Sequence, residues 1–115
     1  MLGQRLRLRS PRDFRRAWEQ GKQWRGKFLA LQVVPNGLPH SRFGFVVSSR
    51  LGKAAIRNRV KRRLRAACRQ WLPPLAAGYD IVVVAHSPAI QAAYQEIEAE
   101  LGVLLRRAGL LMADR

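Results

Sequence analysis

Apolar and polar positions in this chain of 115 residues follow two different periods, and the period changes at recognisable punctuation. Phe14, Ala17 and Trp18 recur at helical spacing behind Ser10-Pro11, with Gly21 after them. Ser10 as N-cap, Pro11 in the first turn, Asp13 as a capping-box-like acid and Gly21 as a stop predict a short amphipathic helix over residues 11–20. Arg12, Arg15, Arg16 and Glu19 fall mostly on its outer side. Residues 28–34 are rich in strand formers and run into the turn chemistry of Pro35-Asn36-Gly37. Residues 43–48 are apolar on both faces, which predicts a buried strand. These two runs are expected to pair as a hairpin, with His40 and Ser41 in its loop.

The longest helical pattern covers residues 53–72 and ends at Pro73-Pro74. After Gly78, residues 80–85 read as another buried strand, and Ser87-Pro88 punctuates. Ile90, Tyr94, Ile97, Leu101 and Leu104/Leu105 then predict a helix over residues 89–107. Glu96, Glu98 and Glu100 lie early in it and Arg106 and Arg107 late, as the helix dipole favours, and Gly109 can cap it. The order is helix, two or three strands, helix, strand, helix. It implies an α+β sandwich with one central mixed sheet, no repeats and no linker. A single domain over 1–115 is expected, ordered from about 5 to 109, with residues 1–4 and 110–115 disordered as chain ends often are.

Charge changes the picture. Lys and Arg number 22 against 7 Asp and Glu, for a formal net charge of +15, while the hydrophobic share of 48% still supplies a core. That composition excludes an intrinsically disordered chain and points to polyanions as partners. No apolar run reaches the roughly 18 residues of a membrane span, and no apolar segment follows the basic start as a secretory leader would need. A lone cysteine, Cys68, cannot close an internal disulfide, which suits a cytoplasmic protein. The charge is also lopsided. Residues 1–70 hold 19 Lys/Arg and 2 acids, whereas residues 71–115 hold 3 and 5. The capped, periodic first segment argues against a basic tail, so the charge belongs on faces of a folded domain.

On the long helix Ile56, Val60, Leu64, Ala67, Cys68 and Trp71 share an arc of about 120° that can pack on a sheet. Asn58, Lys61, Arg62, Arg65 and Arg69 lie opposite, with Arg57 on one border of the apolar stripe and Arg59 and Arg63 on the other. Like charges four residues apart, such as Lys61/Arg65 and Arg65/Arg69, repel by a few tenths of a kcal/mol each. No acid between Glu19 and Asp80 relieves them. Such a face calls for an external anion, and arginine's bidentate fork suits phosphate. A helix-turn-helix partner, zinc ligands and a heptad seam are all missing, so DNA-reading modules fit poorly. Aromatic residues near the basic segments offer stacking surface for unpaired RNA bases. For Phe14 and Trp18 that role stands beside the alternative of ordinary core packing.

The run Ser49-Arg50-Leu51-Gly52-Lys53-Ala54-Ala55-Ile56-Arg57-Asn58-Arg59-Val60-Lys61-Arg62-Arg63-Leu64-Arg65 resembles the signature of the bacterial ribonuclease P protein component. Arg5-Leu6-Arg7, the Asp13-Phe14 pair and residues 80–85 followed by Pro88 also look like that family, and the likeness spans roughly residues 4 to 107. The resemblance implies a protein subunit that joins a catalytic RNA, in a holoenzyme that removes the 5′ leader of precursor tRNA endonucleolytically. It implies that catalysis rests with that RNA and its bound Mg2+, with neither catalytic residue nor metal ligand in the protein. It further implies a fold like the second domain of ribosomal protein S5, with a left-handed βαβ crossover through the basic helix, and a protein that is monomeric in the complex.

By the same resemblance Arg57, Asn58, Arg59, Lys61, Arg62 and Arg65 contact the catalytic RNA. Arg50, Lys53 and Arg69 extend that set on either side. A cleft between the first helix and the sheet would hold the single-stranded leader, with Phe14 as an aromatic of the cleft, Ala30 and Gln32 on its floor and Ser48 close by. Some relatives carry an aromatic where Gln32 stands, so an amide hydrogen bond would replace stacking there. The partners expected are ribonuclease P RNA and precursor tRNA, without DNA or membrane. A ribosomal or general RNA-binding protein without a part in cleavage is the alternative. A protein-only nuclease would need clustered carboxylates that the chain lacks.

Overall fold

The computed structural model describes residues 3–112. The elements are α1 (Pro11–Gln20), β1 (Lys22–Arg25), β2 (Leu29–Pro35), β3 (Arg42–Val46), α2 (Ala54–Trp71), β4 (Tyr79–Ala85) and α3 (Tyr94–Arg107), with short 3-10 turns at Gln4–Leu6, Ser49–Leu51 and Ser87–Ile90. The four strands form one mixed sheet in the order β1-β2-β4-β3. β2 runs antiparallel to β1 and β4, whereas β3 and β4 are parallel neighbours joined through α2. The fold is thus α+β with the basic helix as a βαβ crossover.

The hairpin expected between the second and third apolar runs does not form. β4 lies between β2 and β3, and β2 makes its hairpin with β1 instead. Burial of Leu29 to Val34 without a break fits a strand with a neighbour on each side, and the crossover through α2 returns the chain as a parallel strand between β2 and β3. β1 escapes a hydropathy reading because its residues, Lys22-Gln23-Trp24-Arg25, are mostly exposed at the sheet edge. The Pro35-Asn36-Gly37 turn does form, with Gly37 at φ 71°, but it leads the chain out of the sheet. Asn36 accepts from the Leu38 N–H at 2.7 Å and donates to His40 O at 3.2 Å, which closes a loop rather than a tight hairpin.

Because side chains alternate along a strand, the sheet has two differently covered faces. Leu29, Leu31, Val33, Phe43, Ile81, Val83 and Ala85 point to α2 and α3, where they meet Val60, Leu64, Ala67, Cys68, Ile97, Leu101, Leu104 and Leu105. The stripe expected on the long helix is therefore the one that packs, with Ile56 and Trp71 half-buried at its ends. The other face carries Val34 and Val82, covered by Leu8 and Ala17, with Phe14, Val46 and Val84 beside them. α1 covers only part of that face.

Two local expectations shift. Ser10 makes no side-chain cap; its carbonyl accepts from the Phe14 N–H at 3.1 Å, and Asp13 turns to cations. The last helix starts at Tyr94 rather than at residue 89, because the Pro88 turn ends at Ile90 and Glu96 then bonds the Ala93 N–H at 2.9 Å as a new helix start. At the C-terminal end the packed chain continues beyond residue 109. Leu110 is buried, Leu111 bridges to Leu75, and the Met112 N–H donates to Pro74 O. At the other end Gln4 is already in a turn. Residues 1–2 and 113–115, where disorder was also expected, lie outside the described residues.

Close packing of α2 on α3 depends on Gly102, since a Cβ there would run into the Trp71 ring. The Trp71 indole N–H donates to Glu98 O at 3.0 Å, which keeps the ring from moving aside. Gly102→Ala is expected to cost about 1–3 kcal/mol through overpacking despite alanine's better helix propensity. A thermal melt checks this; an unchanged or raised Tm would show that the ring can yield.

Candidate nucleic-acid interface

α2 presents the cations in the way its periodicity requires. Lys53, Asn58, Arg59, Arg62 and Arg69 are exposed, while Arg57, Lys61 and Arg65 are half-buried. Two arginines on the borders of the stripe have structural bonds. Arg57 Nε donates to Gly52 O at 3.1 Å, which fastens the start of the helix. Arg63 Nη1 donates to Ala92 O at 2.8 Å, tying α2 to the chain before α3. Arg62, Arg65 and Arg69 line a shallow cavity of about 290 Å3 with Ala66 and Gln70. Arg50 is exposed in the turn before α2, where its N–H donates to Ser48 Oγ at 3.1 Å.

The N-terminal segment extends this surface. Arg7 bridges to Phe43 along the outer edge of β3, and the Leu8 N–H donates to Phe43 O at 2.7 Å. Arg7 and Arg9 thereby come alongside Lys61 and Arg65 around a second cavity of about 250 Å3, backed by Phe14, Phe43 and Phe45. Burial, and then the charge of Arg7, push the Arg65 guanidinium below its ordinary pKa. Its Nε is buried with no hydrogen-bond partner. Crowded cations with an unmet donor are what an arriving phosphate oxygen would relieve.

On the far face of the sheet, α1 leaves a groove. The Phe14 ring lies directly on the Gly44 backbone, where a Cβ would stand 2.6 Å from the ring. Trp18, one turn on, is 45% exposed, so the alternative of core packing fails for it and holds only in part for half-buried Phe14. Along the floor Val46 and Val84 are half-buried and offer apolar surface. Ala30 and Gln32 do lie on this face, but at 2% and 7% exposure they offer little. The Gln32 amide already donates to Gly21 O at 3.3 Å, so one of its N–H groups is engaged. The strand register sets Gln23 beside Gln32 and Arg25 beside Ala30, which brings an exposed cation to the groove. Ser48 is exposed just past the end of β3.

Asp13, Asp80, Glu96 and Glu100 are occupied within the molecule. Asp80, fully buried, receives Arg42 through Nε at 2.9 Å and Nη2 at 2.8 Å, Arg16 Nη2 at 2.7 Å and Asn36 Nδ2 at 2.9 Å. Asp13 lies 3.3 Å from Arg42 and 3.9 Å from Arg16. Hydrogen bonding to Asp80 raises the Arg42 pKa, against the opposing effect of burial. Glu100 accepts from the N–H groups of Lys27, Phe28 and Leu29 at 2.7–2.9 Å, seated in the β1–β2 turn. Among the described residues no group of three or more His, Cys, Asp or Glu is placed to hold a metal ion. His40 and His86 are far apart in sequence and belong to different loops.

Reading the sequence alone left Trp18 open between stacking and core packing, and missed the part of Arg7 and Arg9 and the internal use of Arg16 and Arg42. A signal for the last was present. Asp80 is the only acid between Glu19 and Glu96 and stands on an otherwise apolar strand, so a buried carboxylate there demands cations.

A cationic helix on one side of a mixed sheet and an aromatic-walled groove on the other define a small α+β protein made to engage polyanionic chains. The family model for ribonuclease P matches residues 2–109. The ribonuclease P protein component of Syntrophomonas wolfei is 36% identical over 110 residues, covering 96% of this chain and 92% of that one. Its counterpart from Chloroflexus aurantiacus is 44% identical over 108 residues, with 93% and 80% covered. Among solved structures, the ribonuclease P protein of Thermotoga maritima superposes with a TM-score of 0.81 at 31% identity, covering 88% of this chain and 96% of that one. The chain belongs to the ribonuclease P protein family. It is thus the protein subunit of an endoribonuclease that processes the 5′ leader of tRNA precursors, and it acts with ribonuclease P RNA. A general RNA-binding role without cleavage is not favoured.

Proposed function

We propose that this subunit uses its two surfaces for two RNAs. The exposed face of α2, with Lys53, Asn58, Arg59, Lys61, Arg62, Arg65 and Arg69, together with Arg50, takes phosphates of the catalytic RNA. The groove beside α1, walled by Phe14 and Trp18 and reaching Ser48, takes the single-stranded leader of precursor tRNA. The observation that carries this assignment is the pairing of a half-exposed tryptophan with an aromatic neighbour over an apolar floor, on the sheet face opposite the cationic helix. Unpaired bases stack on such walls whatever their sequence, which suits leaders of differing sequence. Floor contacts come from Val46 and Val84 more than from Ala30 and Gln32, whose amide has one N–H left for a base.

Arginine and lysine close to both RNAs lower the repulsion between them, so substrate binds at lower salt cost. Asp13, Asp80 and Glu100 already have partners and do not fit a magnesium site, so the proposal leaves Mg2+ on the RNA. The complex is proposed to hold one copy of the protein, in the cytoplasm, without DNA or membrane; no helix among the described residues is long and apolar enough to cross a bilayer.

The test is a holoenzyme reconstituted with a bacterial ribonuclease P RNA and offered matched precursor and mature tRNAs. The precursor is expected to bind more tightly, and Trp18→Ala is expected to remove about 1–3 kcal/mol of that preference, the worth of one stacked base. Equal affinity for both tRNAs in the unaltered holoenzyme would take the leader out of the groove.

A further inference from the structure

We propose that Asp80 is a positioning residue for leader recognition: its buried carboxylate holds Arg16 of α1 and Arg42 of β3 together and so sets the gap between α1 and the sheet. The proposal rests on the groove being the leader's seat and adds what fixes its width.

Asp80 stands beside Val34 and Arg42 in the register of the sheet, on the face that α1 covers. Its Oδ1 accepts from Arg42 Nε and Asn36 Nδ2, and its Oδ2 from Arg42 Nη2 and Arg16 Nη2, four bonds of 2.7–2.9 Å. A carboxylate has about four acceptor positions, so this one is full. Arg16 also donates through Nη1 to Pro35 O at 2.8 Å, so a single guanidinium fastens α1 to both β2 and β4. Asp13, one turn before Arg16 on the same side of α1, adds a second hold on Arg42.

The helix is built as a lever. Ala17, fully buried, rests against the sheet as its fulcrum. Asp13 and Arg16 project to one side of that contact. Phe14 and Trp18, at i and i+4, project to the other side, over the groove. An alanine fulcrum has no side chain long enough to resist rolling, so the helix is held from its two sides, by Phe14 seated on Gly44 and by Arg16 tied to Asp80, and the angle of Trp18 depends on both. Fastening Arg16 to a fully buried carboxylate fixes that angle more firmly than a bond to a solvated acid would, because a partly buried pair is screened less than a solvated one.

Arg16 is the residue to change, because Arg42 still neutralises Asp80 when Arg16 is removed and the sheet keeps its partners. In the reconstituted holoenzyme, Arg16→Gln is expected to lower the preference for precursor over mature tRNA by about tenfold, the scale on which a small misplacement acts. Affinity for the catalytic RNA should stay within about twofold, since one distant cation contributes little there. Arg15→Gln removes the same charge from the solvent side of α1 and is expected to leave the preference intact. Arg16→Lys keeps a charge and one bond to Asp80 and is expected to recover part of the loss. A melt of each free protein confirms that it is folded at the assay temperature; should Arg16→Gln not be, Arg16→Lys against Arg15→Lys makes the same comparison. A preference unchanged in Arg16→Gln, or lowered equally in Arg15→Gln, overturns the positioning role while leaving the groove in place. Absence of any preference in the unaltered holoenzyme removes the groove, and the proposal with it.

Discussion

Asp80→Ala is expected to lower the melting temperature of the free protein by more than about 10 °C. The substitution leaves Arg42 and Arg16 without the carboxylate that receives both. Removing one partner of a buried ion pair typically costs about 3–5 kcal/mol, because the remaining charge stays desolvated. Here the lower end applies, since the Arg16 and Arg42 side chains keep 30% and 21% of their exposure and water can reach them in part. About 3 kcal/mol in a domain of this size corresponds to a shift of about 10–18 °C. Asp13→Ala is the matched control. Its contacts are longer and it is itself 22% exposed, so a loss within about 1 kcal/mol is expected. Equal melting temperatures for the two variants would mean that the quartet of charges does not lock α1, β3 and β4 together.

The second large effect concerns RNA. Replacing Arg62, Arg65 and Arg69 together by alanine is expected to weaken binding to ribonuclease P RNA by about a thousandfold at physiological salt, near 1.4 kcal/mol for each charge-assisted phosphate contact. The slope of log affinity against log salt should flatten by about two to three units, since each phosphate contact releases close to one counterion. These three residues line one cavity on the outer face of α2 and have no structural bonds, so the fold should be unaffected. Affinity and slope are both read from titrations at several salt concentrations. A large loss with an unchanged slope would mean that they act through something other than phosphates.

How far the sequence revealed this protein differs from element to element. α2 was legible in full, because twenty residues of uninterrupted periodicity placed Val60, Leu64, Ala67 and Cys68 inside and Arg62 and Arg69 outside. The apolar strands were legible as strands but not as neighbours. Nothing in Leu29 to Val34 says that the second partner will be β4 rather than β3; that follows from the crossover through α2, a property of the whole chain. β1 was illegible because an exposed edge strand carries no hydrophobic signal. For the site, the cations of α2 were clear from spacing alone, while the groove depended on the depth of individual side chains. Ala30 and Gln32 were placed on the right face, yet burial puts the accessible floor at Val46 and Val84 instead. Arg16 was read only as an outward charge of the first helix and Arg42 drew no assignment, although local neutralisation by Asp80 makes both part of the frame.

The seat of Glu100 in the β1–β2 turn bears on where an RNA can settle. Three convergent backbone N–H groups with Lys27 adjacent would be an attractive landing place for any anion. A protein this basic, left with such a trap open in the β1–β2 turn, would offer polyphosphate chains a second foothold outside α2. By filling the trap with its own carboxylate, the molecule closes one foothold permanently. The backbone there is then closed to phosphates, and the cationic face of α2 meets an RNA strand with one competing anion site fewer.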